Sequence, residues 1–289
     1  MQLGLVGLGR MGGGLRGRLQ AAGHQVIGFD REPELSDAAS LADLAAGLAP
    51  PRVVWLMVPA AVTGQVVEQL AGELAADDLI IDGGNSHFRD DASRAESLAR
   101  HRIGYLDVGV SGGVWGRDEG YALMVGGEER YVRRCRPIFE ALTPPGEFGF
   151  VHAGGVGAGH YAKMVHNGIE YGLMQAYAEG YELLAGAELV TDVPGVIRSW
   201  RAGSVVRSWL LDLLDRALAE DPELARLRGW VADTGEGRWT VEEAVRLAVP
   251  APAIAAALFA RFASRQEDSP AMKAVAALRE QFGGHAVYR

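Results

Sequence analysis

The sequence is poor in cysteine, in long apolar runs and in positive charge, and each shortage removes a class of protein. One cysteine, Cys135, stands among 289 residues. Neither an internal disulfide nor a cysteine-based metal centre can form, which suits a reducing compartment. Cys135 lies in a basic, polar run over 133–136. A packed small side chain is its expected state, with a reactive thiol as the alternative. The longest apolar stretch, 53–62, is interrupted by Pro59 and is too short to span a bilayer. No basic leader with a small-residue cleavage site precedes the first strand, so a soluble, cytoplasmic protein is expected. A net charge of −9 disfavours nucleic acid and anionic membranes as partners. No histidine–carboxylate spacing suggests a metal, and none is expected.

What is present is an ordinary globular mixture, 48% hydrophobic and 22% charged, long enough for two domains. In the first half, apolar runs of strand length alternate with helical patterns. Strands are expected over 3–7, 25–29, 53–58, 79–82, 104–107 and 121–125, and helices over 10–22, 41–48, 62–74 and 90–101. That alternation predicts an α/β Rossmann-like N-terminal domain, 1–156, with a parallel sheet covered on both faces. The glycine-rich stretch 151–157 marks its end. An all-α C-terminal domain follows over 157–289. Its later helices are expected over 193–200, 205–218, 240–248, 251–264 and 270–281. The run 161–187 has few breakers and is too apolar for a solvent helix. It should be buried in the protein or at a dimer contact.

Gly7-Leu8-Gly9-Arg10-Met11-Gly12 follows the first strand and opens the first helix. Gly7 permits a tight turn, Gly9 lets a pyrophosphate approach the backbone, and Gly12 lets helix and strand pack closely. The helix N-terminus offers unpaired N–H groups to phosphates. Asp30 ends the second strand, 18 positions beyond Gly12. A carboxylate there accepts ribose hydroxyls and repels a 2′-phosphate, favouring NAD. The adjacent Arg31 keeps NADP as the alternative. Val58 and Pro59 leave the third strand and are expected at the cofactor edge.

Further on, Lys163, His166, Asn167 and Glu170 recur at spacing i, i+3, i+4 and i+7. That spacing sets a base, two hydrogen-bonding groups and an acid on one helix face. The stretch from Gly157 to Tyr171 resembles the catalytic helix of 6-phosphogluconate dehydrogenases. Ile81-Asp82-Gly83-Gly84-Asn85-Ser86 resembles the asparagine loop of that family, Gly109-Val110-Ser111-Gly112-Gly113 its serine–glycine–glycine loop, and 279–285 its arginine-to-histidine tail. The resemblance runs in order over nearly the whole chain. The lysine and asparagine are shared with the wider β-hydroxyacid dehydrogenases, whereas the tail, the Asn85 loop and Gly168-Ile169-Glu170-Tyr171 point to the 6-phosphogluconate branch. Much of the long family form's helical domain is missing, so the chain resembles the short type. The long form's lysine before its Gly-Thr-Gly-Lys-Trp segment has no clear counterpart here. The segment reads Gly235-Glu236-Gly237-Arg238-Trp239, leaving Arg238 as either a substitute phosphate ligand or a surface residue.

The resemblance implies oxidative decarboxylation of 6-phosphogluconate. Lys163 becomes the base to the C3 hydroxyl and must begin neutral. Glu170 becomes the acid toward C1 of the enediol and must begin protonated. Asn85, Ser111, Gly112, Gly113, His166 and Asn167 hold substrate, with Asn85 also touching the nicotinamide edge. Arg261 and Arg279, beside Tyr171 and His285, take the phosphate; a guanidinium fork suits that anion. In that family the tail reaches a partner subunit's site, so the resemblance implies a homodimer or a dimer-based oligomer. Two other readings stay open. One is a β-hydroxyacid dehydrogenase for a small unphosphorylated acid, which has no need of Arg261, Arg279 or His285. The other is a non-catalytic NAD-binding protein, which has no need of Lys163 with Glu170.

Overall fold

The structure, a computed structural model, describes residues 1–146 and 148–283. Contacts divide the chain into two compact units, Met1–Met164 and Val165–Arg289. The first unit runs β1 (Gln2–Val6), α1 (Arg10–Ala21), β2 (Gln25–Phe29), α2 (Leu41–Ala46), β3 (Val53–Leu56), α3 (Ala60–Glu73) and β4 (Leu79–Asp82). It continues through α4 (Phe88–Ala99), β5 (Gly104–Ser111), α5 (Gly116–Glu119), β6 (Ala122–Gly127), α6 (Glu129–Leu142) and β7 (Phe150–Gly154), and ends in the opening turns of α7 (Ala158–Ala185).

The strands form one sheet in the order β2-β1-β3-β4-β5-β6-β7. Strands β1 to β5 are parallel, as the alternation predicts. The direction reverses at β6, which runs antiparallel to β5. The cause is the connection: only residues 112–121 separate the two strands. A parallel crossover needs a dozen residues or more, so the chain turns back on itself. Strand β7 then pairs parallel with β6.

Both faces of the sheet are buried, because successive side chains point to opposite sides. Leu3, Leu5, Val53, Trp55, Leu79 and Ile81 pack with Leu15 and Leu19 of α1 and Cys135, Ile138 and Phe139 of α6. Val6, Val54, Leu56 and Ile80 pack with Leu44 of α2, Val67 and Leu70 of α3 and Leu98 of α4. Helix α6 is an element that the sequence reading lacks. Its arginines at 133, 134 and 136 gave the segment a polar look, yet Tyr131, Val132, Cys135, Ile138, Phe139 and Leu142 form its buried face. Cys135 is completely buried, and burial pushes its thiol up to about 12. It is a packed side chain rather than a reactive one.

In the second unit α7 continues, followed by α8 (Val193–Ser199), α9 (Trp209–Glu220), α10 (Glu236–Arg246), α11 (Pro252–Ala263) and α12 (Pro270–Gly283). Helix α9 begins later than the expected 205 because Ser208 caps it, accepting the Leu211 N–H. The Tyr177 hydroxyl holds the preceding loop through the Val206 carbonyl at 2.6 Å and Ser208 Oγ at 2.8 Å. The buried core here is small: Tyr171, Ala257 and Leu258 in one cluster, Ile197, Leu211 and Leu218 in another. Burial of the whole run 161–187 does not hold within one chain, since Ile169, Leu173 and Leu183 of α7 are exposed. Among the described residues no helix is long and apolar enough to cross a membrane.

Candidate active site

Strand order reverses between β1 and β3, and a cleft of about 880 Å³ opens at their C-terminal ends. Ligands of open α/β sheets bind at such a switch point. Gly7, Gly9, Asp30, Arg31, Val58 and Pro59 line the cleft. The three glycines of the loop have distinct physical demands. Gly7 has φ +89°, and a Cβ there would come 2.5 Å from the Met57 carbonyl oxygen. A Cβ on Gly12 would meet the Gly7 carbonyl oxygen at 1.8 Å, so α1 packs directly on the strand end. Gly9 faces open space, with nothing within 4 Å of its missing Cβ. An anion has room there, against the start of α1.

Asp30 braces this loop. Its Oδ2 accepts the Leu8 N–H at 2.6 Å, and its own N–H donates to Ser36 Oγ at 2.7 Å. Burial alone would raise its carboxyl, but backbone N–H groups of Leu8, Glu32 and Arg31 and the Arg31 charge hold it below the usual range. It is therefore an ionised acceptor at neutral pH. Arg10 is exposed, Met11 half-buried, and Arg31 exposed at the cleft wall. The sequence reading missed the opposite wall, where Val62, Gln65, Val66 and Gln69 of α3 line the cleft. Their spacing of i, i+3, i+4 and i+7 is a helix-face pattern that could have marked them.

Beside this cleft the Asn85 loop leaves β4. A Cβ on Gly84 would lie 2.8 Å from the Val58 carbonyl oxygen, and one on Gly83 would strike the Trp55 ring nitrogen at 2.3 Å. Both glycines let the loop sit against the β3 end, leaving Asn85 exposed. At the end of β5, Ser111 is half-buried, and Gly112 and Gly113 turn the chain with φ +136° and +55°. Lys163 is 8% exposed. Its Cβ would be 2.3 Å from a Cβ on Gly109, so this glycine is what admits the lysine onto β5. The structure thus gathers Asn85, Ser111 and Lys163 at the C-terminal ends of β4 and β5 and the opening turns of α7.

Beneath them lies a polar cluster that the sequence reading passed over. The last row of the parallel sheet reads Val6, Leu56, Asp82 and Asp107 in register, apolar on two strands and acidic on the next two. Asp82, Asp91 and Asp107 are fully buried and His160 is nearly so. Asp82 accepts the Gly84 N–H at 3.0 Å and the Ser86 hydroxyl at 2.7 Å. Tyr105 Oη lies 2.8 Å from Asp91 and 3.2 Å from Asp82, and Arg94 Nη1 lies 3.3 Å from Asp82. His160 Nδ1 meets Asp91 Oδ2 at 2.8 Å. Asp107 accepts the Gly157 N–H at 2.7 Å and the His160 N–H at 2.9 Å, closing the first turn of α7. Burial would lower the His160 ring, but its bond to Asp91 and the charges of Asp82, Asp91 and Asp107 raise it to about 9. Asp82, Asp91 and His160 offer ligand atoms within 4.8 Å of one another. Arg94 and Tyr105 already bond the same carboxylates, so the cluster carries its own counter-charge.

In the second unit, His166 Nδ1 lies 2.9 Å from Asn167 Oδ1 and 3.9 Å from Glu170 Oε2. Asn167 is buried, whereas His166 and Glu170 are half-exposed. The Arg261 guanidinium sits 3.4 Å over the Tyr171 ring, and the buried Tyr171 Oη has no hydrogen-bond partner among the described residues. Such an orphaned hydroxyl is costly unless a ligand satisfies it. Gly237 packs on the same ring, where a Cβ would approach to 2.3 Å. Arg238, the candidate substitute for the missing lysine, is tied to Asp233, a local ion pair. Arg279 lies exposed on α12, and His285 falls outside the described residues.

Comparison with known proteins identifies the family. Residues 2–154 match the family model for the NAD binding domain of 6-phosphogluconate dehydrogenase, and 159–286 match that for its C-terminal domain. An NAD(+)-dependent, decarboxylating 6-phosphogluconate dehydrogenase of Haloferax volcanii is 43% identical over 300 residues, covering 100% of this chain and 99% of the relative. A decarboxylating 6-phosphogluconate dehydrogenase of Haemophilus influenzae is 35% identical, covering 92% of this chain and 60% of the relative. The solved Plasmodium falciparum 6-phosphogluconate dehydrogenase, described with NADP+ and with 6-phosphogluconate, superposes with TM-score 0.79 at 26% identity. That match covers 100% of this chain and 66% of the other. From its glycine loop to its helical domain, the chain belongs to the 6-phosphogluconate dehydrogenase family.

Proposed function

We propose that the protein catalyses the oxidative decarboxylation of 6-phosphogluconate to ribulose 5-phosphate and carbon dioxide. NAD is the preferred hydride acceptor and NADP the alternative. The observation that carries this reading is Lys163, a buried amine seated on Gly109 beside the Asn85 loop. The glycine loop fits a dinucleotide, because Gly9 leaves its Cβ side open at the helix start. Gly7, Leu8, Gly9, Arg10, Met11 and Gly12 would cradle the pyrophosphate, Asp30 the ribose, and Val58, Pro59 and Asn85 the nicotinamide end. A bound dinucleotide supplies the acceptor for the hydride leaving C3.

Lys163 takes the C3 hydroxyl proton as that hydride departs. This step requires the neutral amine. The resulting ammonium polarises the new C3 carbonyl. The C1–C2 bond then breaks, its electron pair forming the enediol, and C1 leaves as carbon dioxide. Glu170 delivers a proton to the carbon that held the carboxylate. This carbon becomes C1 of the five-carbon product. Ser111, Gly112, Gly113, His166 and Asn167 orient the substrate hydroxyls and carboxylate. Tyr171 and Arg261 receive the phosphate, and the orphaned Tyr171 Oη beneath the guanidinium is what supports that assignment. Arg279 and His285 join them from a second copy of the chain, with the exposed Ile169, Leu173 and Leu183 of α7 as the apolar surface the copy covers. The protein works in the cytoplasm without a metal.

Initial rates with 6-phosphogluconate and 3-hydroxyisobutyrate, each with NAD and NADP, test the reading. Expected is turnover of the phosphorylated acid with NAD at the highest kcat/KM. Preference for the unphosphorylated acid contradicts it.

A further inference from the structure

One buried ionic cluster takes no part in the reaction as written. Burying charge costs several kcal/mol per ion unless partners are well placed. Yet Asp82, Asp91, Asp107 and His160 are all at most 3% exposed. Their connections are specific. Asp82 holds the Asn85 loop through Gly84 and Ser86. Asp91, on α4, holds the His160 ring and the Tyr105 hydroxyl. Arg94 spans Asp82 and Asp91. Asp107, on β5, holds the backbone of Gly157 and His160. His160 precedes Lys163 by three residues on the same helix, so both lie on one face.

We propose that the Asp82–Asp91–His160 cluster, closed by Arg94 and Tyr105, is a positioning device that sets Lys163 against the Asn85 loop. It rests on the reading of Lys163 as the base. Packed aliphatic side chains could fill the same space but would allow the loop and α7 to slide. The bonds at His160 Nδ1, Asp91, Asp82 and Tyr105 fix one geometry, while His160 Nε2 is left without a partner among the described residues. His160 and Asp91 act through Lys163 and Asn85 and are positioning residues. Burial opposes the charged form of the His160 ring, and Asp91 from α4, Asp82 from β4 and Asp107 from β5 outweigh it. The link is therefore intact throughout the neutral range.

The test uses the full chain with His160→Leu, His160→Gln and Asp91→Asn. Thermal melting checks folding, NAD affinity reads the cofactor cleft, and kcat and KM for 6-phosphogluconate read the site. His160→Leu should lower kcat roughly 100-fold, the cost of about 1 Å of misplacement, with NAD affinity within about threefold of the parent. His160→Gln keeps a donor for Asp91 and should recover at least about tenfold of that loss. A folded His160→Leu protein with near-parental kcat overturns the proposal, as does a glutamine variant no better than leucine. If His160→Leu does not fold, Asp91→Asn decides by the same split: lowered kcat at unchanged NAD affinity supports, unchanged kcat overturns. Amide hydrogen exchange needs no substrate. It should quicken over 83–86 in His160→Leu, and unchanged exchange there overturns the network. A parent protein that does not oxidise 6-phosphogluconate overturns the functional reading instead and leaves the exchange result to judge the cluster.

Discussion

The two halves of the chain bury themselves to different degrees. Among the described residues, the sheet-bearing unit holds clusters of 22 and 13 buried apolar residues, one on each face. The helical unit holds two clusters of three, while Leu183, Leu189 and Val205 stand 76%, 95% and 101% exposed. The sheet unit carries exposed ion pairs such as Arg100–Glu96 and Arg133–Glu129, but the most buried ones also lie there. Arg94 is 11% exposed on its carboxylates, whereas Arg198 and Arg201 are 58% and 39% exposed on Asp215. The first unit buries a large apolar core on both sheet faces, although Phe148 stands 86% exposed. The second has a smaller buried core and exposes Leu183 and Leu189, the surface on which the proposed second copy rests.

Four substitutions or conditions would sharpen or break that contrast. The largest effect belongs to Lys163→Ala, which should lower NADH formation from 6-phosphogluconate by at least about 10³-fold. NAD affinity should stay unchanged, because the cleft belongs to the well-packed unit; retained turnover removes Lys163 from the role of base. Next comes pH. The His160 ring rises from 6.5 unfolded to about 9 folded, so its stabilisation is fully present below 6.5 and is lost as pH climbs through 9. The loss should be on the order of 3 kcal/mol, read as a Tm that falls between pH 7 and pH 10. His160→Gln should flatten that alkaline limb, and an unaltered limb would show another group responsible.

Arg261→Ala should raise the KM for 6-phosphogluconate by roughly 10- to 100-fold, matching about 2 kcal/mol for a charge-assisted contact, with kcat changed far less. An unchanged KM argues that the phosphate is held elsewhere. The smallest effect is the most direct probe of the contrast itself. Leu183→Glu should weaken self-association in analytical ultracentrifugation and lower Tm by a few degrees, about 1 kcal/mol. Val114→Glu, at a position 55% exposed in the sheet unit, should leave both within about 0.5 kcal/mol of the parent. Equal responses would show that α7 is an ordinary solvent face.

Features with a repeating period or a backbone demand were legible from sequence. The parallel strands, the glycine loop with Asp30, and the helix face of Lys163, His166, Asn167 and Glu170 all belong there. Contacts between distant segments were not. Helix α6 hid behind three arginines because its buried stripe is read only once a neighbour supplies the burial. The reversal at β6 depended on the length of one connection. Asp82, Asp91 and His160 lie up to 78 positions apart in the chain, and no local pattern links them; only the register of β4 with β5 brings Asp82 beside Asp107. A partial sign was available at His160, one turn before Lys163 on the same face. Arg238, left open between phosphate ligand and surface residue, pairs with its neighbour Asp233, a contact that its segment alone did not announce.

Oxidation at C3 and loss of the C1 carboxylate should be coupled in every turnover. Turnover of 6-phosphogluconate labelled with ¹³C at C1, with released carbon dioxide and NADH measured together, tests it most directly. Equimolar labelled carbon dioxide and NADH is the expected result. NADH without labelled carbon dioxide, or no NADH at all, would contradict it.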